Sequence, residues 1–318
     1  MTKLNKLIML CVICLSITAL NGEKYAGEIF KMGAGIRNIA LGRTGLADKQ
    51  SNAKAYWNAS LLAQQHSTDF ELMHAEDFGG NLQYDILSAN IGNQTNMGFV
   101  ISRIAIDNIS LTAIPNPDSL PSNDNRPFAY KKIANADYII NLGIGRQLNE
   151  RLLIGFSLKF VYRNIAEENA FGFGADLSAT YLMSDNIVFA GRLRDFFSTQ
   201  LFYENGSHEI VNPGVDLESA FSFVVPKLDK KAAIYLNSEI NFEQMTDAAT
   251  ISASAMSIDW HAGLELAISQ SVSLYTGYDL DNITAGFTVN YQRFSINYSF
   301  EQDTELDNSH RISLGFKL

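Results

Sequence analysis

From about residue 68 onward, apolar and polar side chains alternate with a period of two. Ile154, Phe156, Leu158, Phe160 and Tyr162 fall on one face, and Gly155, Ser157, Lys159, Val161 and Arg163 on the other. A two-residue period is the signature of a strand whose faces meet different surroundings. The pattern recurs from Phe171 to Met183, Ile258 to Ile268, Ile283 to Tyr291, Phe294 to Phe300 and Ile312 to Leu318. The segments run about ten residues or more, longer than the usual soluble strand of about 5–6. About ten tilted residues are what a bilayer requires. The polar face is rich in Gly, Ser, Thr, Asn and charge, as a lumen would be. Tyr138, Tyr162, Tyr181, Tyr278, Tyr291 and Phe300 gather near strand ends, like an interfacial girdle. The pattern predicts an all-β fold, a transmembrane antiparallel barrel of about fourteen strands over residues 68–318.

Connection lengths point the same way. Gln292-Arg293, Ser269 to Ser271, Lys227 to Lys231, Ser184 to Asn186 and Asn149 to Arg151 are short. They alternate with mostly longer connections: Glu301 to Ser309, Glu243 to Ala255, Glu204 to Pro213, Ala166 to Asn169 and Asn108 to Asn135. Short periplasmic turns and long external loops are the expected asymmetry, and an even strand number leaves both chain ends in the periplasm. The last long connection holds Pro115, Pro117, Pro121 and Pro127 and reads as an external loop. The weakest strand is Ile187 to Phe202, where Arg192, Arg194 and Asp195 break the alternation and predict a bulge or kink. The final strand, Arg311 to Leu318, reaches the end of the chain. It resembles the C-terminal signal read by barrel-assembly machinery, with Phe316 two residues before the end rather than at it.

Residues 23–67 do not alternate. Short apolar pieces, Ile29-Phe30, Ile36, Ile39 to Leu41 and Leu46, are punctuated by Gly33, Gly35, Gly42 and Gly45. A barrel this wide has an interior that wall side chains alone do not fill. The expectation is an N-terminal plug or hatch segment. Glycines on the inward face (Gly143, Gly145, Gly155, Gly172, Gly174, Gly263 and Gly286) would leave room for it, or would serve barrel curvature.

Residues 1–22 read as a secretory signal, with Lys3 and Lys6 before the apolar run Leu7 to Leu20. Both cysteines, Cys11 and Cys14, lie in it, so the mature chain would have no disulfide or thiol chemistry. The net charge of −10 would fall to about −12 with the loss of the two lysines. An acidic chain without a basic run argues against nucleic acid as a partner.

The N-terminal segment also carries a resemblance. Gly33-Ala34-Gly35-Ile36-Arg37-Asn38-Ile39-Ala40-Leu41-Gly42 and Ala53-Lys54-Ala55-Tyr56-Trp57-Asn58-Ala59-Ser60-Leu61-Leu62 resemble the N-terminal signature of the PorV/PorQ family. That family is similar in turn to FadL-type transporters, which share an Asn-Pro-Ala hatch motif. Arg37, Leu41-Gly42 and Trp57-Asn58 match, whereas Ala59-Ser60-Leu61 stands where the family has Pro-Ala-Gly. Likeness to PorV/PorQ implies an outer-membrane protein serving type IX-like secretion, with secretion components or exported cargo as partners. Likeness to FadL implies passive transport of hydrophobic small molecules.

Two sets of residues are candidates for function. Gly33, Arg37, Gly42, Trp57 and Asn58 form the plug or hatch motif. Arg37 and Asn58 also have simpler readings, Arg37 paired with a lumen carboxylate and Asn58 capping a turn. Lys159, Arg163, Asp176, Asp259, His261 and Glu265, with Glu239, are inward-facing charges. Their mixed signs favour a salt-bridged network over an ion path. No Gly-x-Ser-x-Gly elbow occurs, and His66, His74, His208, His261 and His310 share no metal-ligand spacing. The chain is expected to be a non-enzyme without metal or cofactor.

Overall fold

The computed structural model describes residues 26–92, 95–166, 168–243, 249–253, 256–303 and 307–318. The expected signal peptide, 1–22, lies outside these. Fourteen antiparallel strands close into a barrel. In chain order they are β1 (Asp69–Asp77), β2 (Leu82–Ile91), β3 (Met97–Ala113), β4 (Phe128–Gln147), β5 (Leu152–Ile165) and β6 (Glu168–Leu182). Strand β7 (Ile187–Arg194, resumed at Thr199–Tyr203) and strand β8 (His208–Val211, resumed at Gly214–Val225) are interrupted. Then come β9 (Lys230–Asn241), β10 (Met256–Ala267), β11 (Val272–Asp279), β12 (Asn282–Tyr291), β13 (Phe294–Gln302) and β14 (Ser309–Lys317). Each pairs with its sequence neighbour, and β1 closes the ring on β14 from Asp69↔Lys317 to Glu76↔His310.

Burial alternates along the strands as the sequence does. In β6 the inward Gly172, Gly174, Asp176, Ser178 and Thr180 are buried, while Phe171, Phe173 and Tyr181 are exposed. The exposed outer face is large and apolar, including Ile154, Phe160, Leu217, Phe221, Leu236, Trp260, Leu264 and Leu314. Water would penalise such a surface, and hydrocarbon would not. The barrel and its apolar belt define an outer-membrane protein.

The predicted kink is present. Between the pairs Leu177↔Leu193 and Phe173↔Gln200, strand β7 places six residues against three of β6. Asp195 and Ser198 take positive φ there, Asp195 turns inward, and Phe197 faces outward.

Three expected loops contain strand: Glu243 to Ala255 holds the paired piece Ile251–Ala253, and two others are shorter than the sequence suggests. The stretch Asn108 to Asn135 is mostly a ribbon of β3 and β4, and the connection is only 114–127. Register shifts at Ile106/Ile109 and Leu111/Thr112 scramble the alternation, which hid the strands. All four prolines fall inside the true loop. Likewise, Glu204 to Pro213 holds the paired piece His208–Val211.

Candidate functional site: the lumen and the N-terminal segment

Residues 26–67 run through the barrel as short turns of helix: Glu28–Lys31, Ile36–Ala40, Lys54–Trp57 and Ala59–Gln64. Each is too short to be stable alone, so wall contacts hold them. Close approach is possible because the facing wall is glycine-rich. A Cβ at Gly155 would collide with Ser60 N, and one at Gly263 would stand 2.5 Å from Leu41 O. Gly143, Gly145 and Gly286 face the segment in the same way. Gly172 and Gly174 do not, since they accommodate Leu201 and Thr199 beyond the kink.

The motif residues each have a defined place. Gly33 has φ +81°; its N–H donates to Tyr56 Oη, and its carbonyl accepts from Tyr84 Oη. Gly42 has φ +70°, and a Cβ there would meet Ala262 O and Tyr278 O at 2.6 Å. Trp57 Nε1 donates to Ala34 O at 2.6 Å. Asn58 caps the Ala59–Gln64 turn by accepting from Ser60 N, and donates to Leu46 O and to Thr180 on β6. Arg37 is buried and saturated. It donates to Glu265 at 2.8 and 2.7 Å, to Asp48 at 2.8 and 3.2 Å, and to the hydroxyls of Tyr275 and Tyr235. Burial opposes its charge, but Asp48 and its other anionic neighbours outweigh that and raise its pKa well above the ordinary value.

The inward charges expected to form one network divide into four groups. Glu265 belongs to Arg37. Lys159 meets Asp195 at 2.6 Å and Asp176 at 3.6 Å. His261 lies between Asp279, at 2.9 Å, and Glu239, at 3.9 Å, while Asp259 accepts from Asn241 and Thr250 N. Arg163 stands apart, paired with Asp137 at 2.8 Å. Other residues that hold the segment gave no sequence signal. Glu218 accepts the N–H groups of Gly45, Leu46 and Ala47 at 2.9–3.0 Å. Arg43 meets Asp279 at 2.6 Å, and Arg192 donates to Tyr56 O. Glu218, Asp279 and Arg192 are ordinary inward positions of ordinary strands, and Arg43 is an ordinary turn residue; only the chain opposite distinguishes them.

The lumen wall has two characters. On β1–β5 and beyond the kink its outer half is apolar: Met73, Ala75, Leu82, Tyr84, Ile86, Val100, Ile104, Ile139, Val161, Leu201 and Val211. Ile29, Phe30, Met32 and Tyr56 of the segment cover this patch. On β8–β14 the inward residues are mostly charged or polar. A small charged cavity of about 90 Å³ lies between the two, lined in part by Lys31, Arg43, Arg194, Glu239 and His261. Among the described residues no group of His, Cys, Asp and Glu is arranged to hold a metal.

No family model matches the chain, and no curated protein does. Solved structures do. The toluene transporter TbuX of Ralstonia pickettii aligns with TM-score 0.56 at 11% identity, covering 90% of this chain and 98% of that one. The toluene transporter TodX of Pseudomonas putida aligns with TM-score 0.56 at 13% identity over the same shares. A FadL homologue from Pseudomonas aeruginosa gives 0.51 at 8% identity, over 89% and 98%. At these identities the likeness is one of fold. The chain is an outer-membrane barrel of FadL-like architecture, and the PorV/PorQ part of the resemblance receives no support from these matches.

Proposed function

We propose that this barrel passes small hydrophobic molecules across the outer membrane, with residues 26–67 acting as a plug that ligand displaces in part. The observation that carries this reading is the apolar patch on the inner wall. A lumen filled only by water or by a salt-bridged plug has no use for Tyr84, Ile86, Val100, Ile104 and Ile139 on one surface. Residues 26–32 cover the patch; among the described residues no hydrogen bond ties them to the wall, and the Lys159 ammonium sits over the Phe30 ring at 4.5 Å. An apolar solute replaces such a cover at little cost in polar contacts. Toluene transport by TbuX and TodX, which share the fold, supports a hydrocarbon as the class of solute. The test is uptake of labelled toluene by a porin-deficient host carrying this barrel. Uptake above the empty host, increased by deleting residues 26–32, is the expected result; uptake equal to the empty host refutes the reading.

A second reading, an accessory to type IX-like secretion as the PorV/PorQ resemblance implies, draws on a different observation. The β3–β4 ribbon carries exposed Leu120, Phe128 and Tyr130, with Leu120 86% exposed at its loop. Exposed apolar side chains clustered on one ribbon suit contact with another protein. Deleting the gene and comparing the secreted proteome by mass spectrometry tests it. Loss of a defined set of exported proteins supports the secretion reading, and an unchanged secretome removes it.

A further inference from the structure

The end of the barrel that carries the short turns holds a cavity of about 550 Å³. Its lining is unlike the rest of this acidic chain. Lys49, Lys54, Arg293 and Lys317 face it, with Asp69 as its one unsaturated-looking counter-charge. Asp69 is in fact engaged, accepting from Gln65 at 2.5 Å and from Asn90 at 2.9 Å. The fifth cation on the cavity, Arg37, is saturated by Glu265 and Asp48.

Lys54 is the informative member. It is only 4% exposed, yet no carboxylate of the described residues lies within ion-pair distance. Its ammonium makes one hydrogen bond, to Gln65 Oε1 at 2.6 Å. An ammonium has three donors, so two remain for a partner in the cavity. Burial pushes its pKa down, against the pull of Asp69 and Asp48. A buried cation held by one amide is costly unless an anion arrives. Lys49, Arg293 and Lys317 are exposed and likewise unpaired among the described residues.

We propose that this periplasmic vestibule binds an acidic peptide segment, with Lys54 as its innermost contact. Three features favour an extended chain over a small anion. The cations come from separate elements: the turn after Ile36–Ala40, the Lys54–Trp57 helix, the β12–β13 turn and the end of β14. One phosphate engages one or two such groups, whereas spaced carboxylates engage all of them. Side-chain amides of Gln50, Asn52 and Gln292 lie between them, suited to pair with peptide N–H and C=O groups. The cavity opens on the side where both ends of the barrel meet, Leu318 N donating to Thr68 O. This inference is independent of what the barrel transports.

The test uses the whole barrel in detergent micelles and a dye-labelled hexaglutamate peptide, with hexaglutamine as control. Hexaglutamate is expected to bind, more weakly as salt rises, and hexaglutamine to fail. Lys54→Met should weaken binding about tenfold or more while raising the unfolding temperature of the peptide-free barrel. A merely structural lysine would not give that pairing. Should Lys54→Met fail to fold, the exposed pair Arg293→Gln and Lys317→Gln decides; it should keep the heat-shifted gel mobility and lose affinity. Equal affinity in every variant overturns the proposal, as does absence of binding. Displacement of the peptide by an equal concentration of inorganic phosphate also overturns it, leaving a simple anion site.

Discussion

Two stretches of the same N-terminal segment are held in opposite ways. Residues 36–48 sit against the charged wall and are fixed by Arg37 on Glu265, by Glu218 on three successive N–H groups and by Thr284 on Ala40 O. Residues 26–32 sit against the apolar wall and are held by packing, chiefly of Ile29, Phe30 and Met32. Directional bonds between buried charged groups fail abruptly when geometry changes. Apolar packing exchanges one partner for another of similar shape. The difference teaches that neighbouring stretches of one continuous chain are held by different forces, directional bonds over 36–48 and packing over 26–32.

The sharpest way to break that contrast is Arg37→Met. It leaves Glu265 and Asp48 buried without their cation, and breaking a buried pair of this kind costs about 3–5 kcal/mol. The expected outcome is a large fall in the temperature at which the unheated gel form is lost. A fall no larger than that of a surface variant would mean that the charged wall does not anchor the segment. Next comes Gly155→Leu. The added side chain collides with the backbone of Ala59 and Ser60, and overpacking of this kind costs about 1–3 kcal/mol. It should displace the Ala59–Gln64 turn and raise single-channel conductance in a planar bilayer. Smaller still is Phe30→Ala, which thins the cover; the cost is about 1–2 kcal/mol at most for a half-buried ring. Toluene uptake should rise while conductance to salt stays low, because the anchor is intact. Equal effects of Phe30→Ala and Arg37→Met on stability would erase the distinction between the walls. Leu120→Ser touches neither wall and should change stability by about 0.5 kcal/mol or less, measured by the same gel shift. Its value is as a probe of the exposed ribbon, since only the secretion reading expects it to alter exported proteins.

Much of the barrel could be read directly. Period-two alternation over Ile154 to Arg163 and Phe171 to Met183 states which face is inward, and burial follows it over most of both strands, with Ala175 buried on the outward face. The alternation of short and long connections is an independent check that agrees with the fourteen strands. The reading failed where bulges break the period. Asn108 to Asn135 looked like loop because two register shifts put apolar residues out of step. The kink at Asp195 was visible for the same reason, since charge interrupted an expected strand.

The lumen was less legible. Arg37 and Asn58 stand out through the resemblance of their motifs to the PorV/PorQ signature. Glu218, Asp216, Asp279 and Arg43 do not, since each is unremarkable in its own strand or turn. Asp216 bridges Arg192 and Arg194 at 2.7–2.9 Å, a pairing across strands that no local pattern contains. Grouping Arg163 with Lys159 followed from their shared face; four residues of rise along β5 place them at different depths, with different partners.

Glu71 joins two things that happen at different times in the life of the chain. It stands on β1, where the barrel closes on β14, and its carboxylate accepts from Ser313 of that last strand at 2.6 Å. The same oxygen accepts from Ile36 N of the segment at 3.3 Å. Ser313 follows Ile36 by nearly 280 residues, so Glu71 holds both partners only once the last strand has been made. Sealing of the wall and seating of its contents therefore converge on one side chain. A barrel closed around an empty lumen lacks one of the bonds that a filled one has.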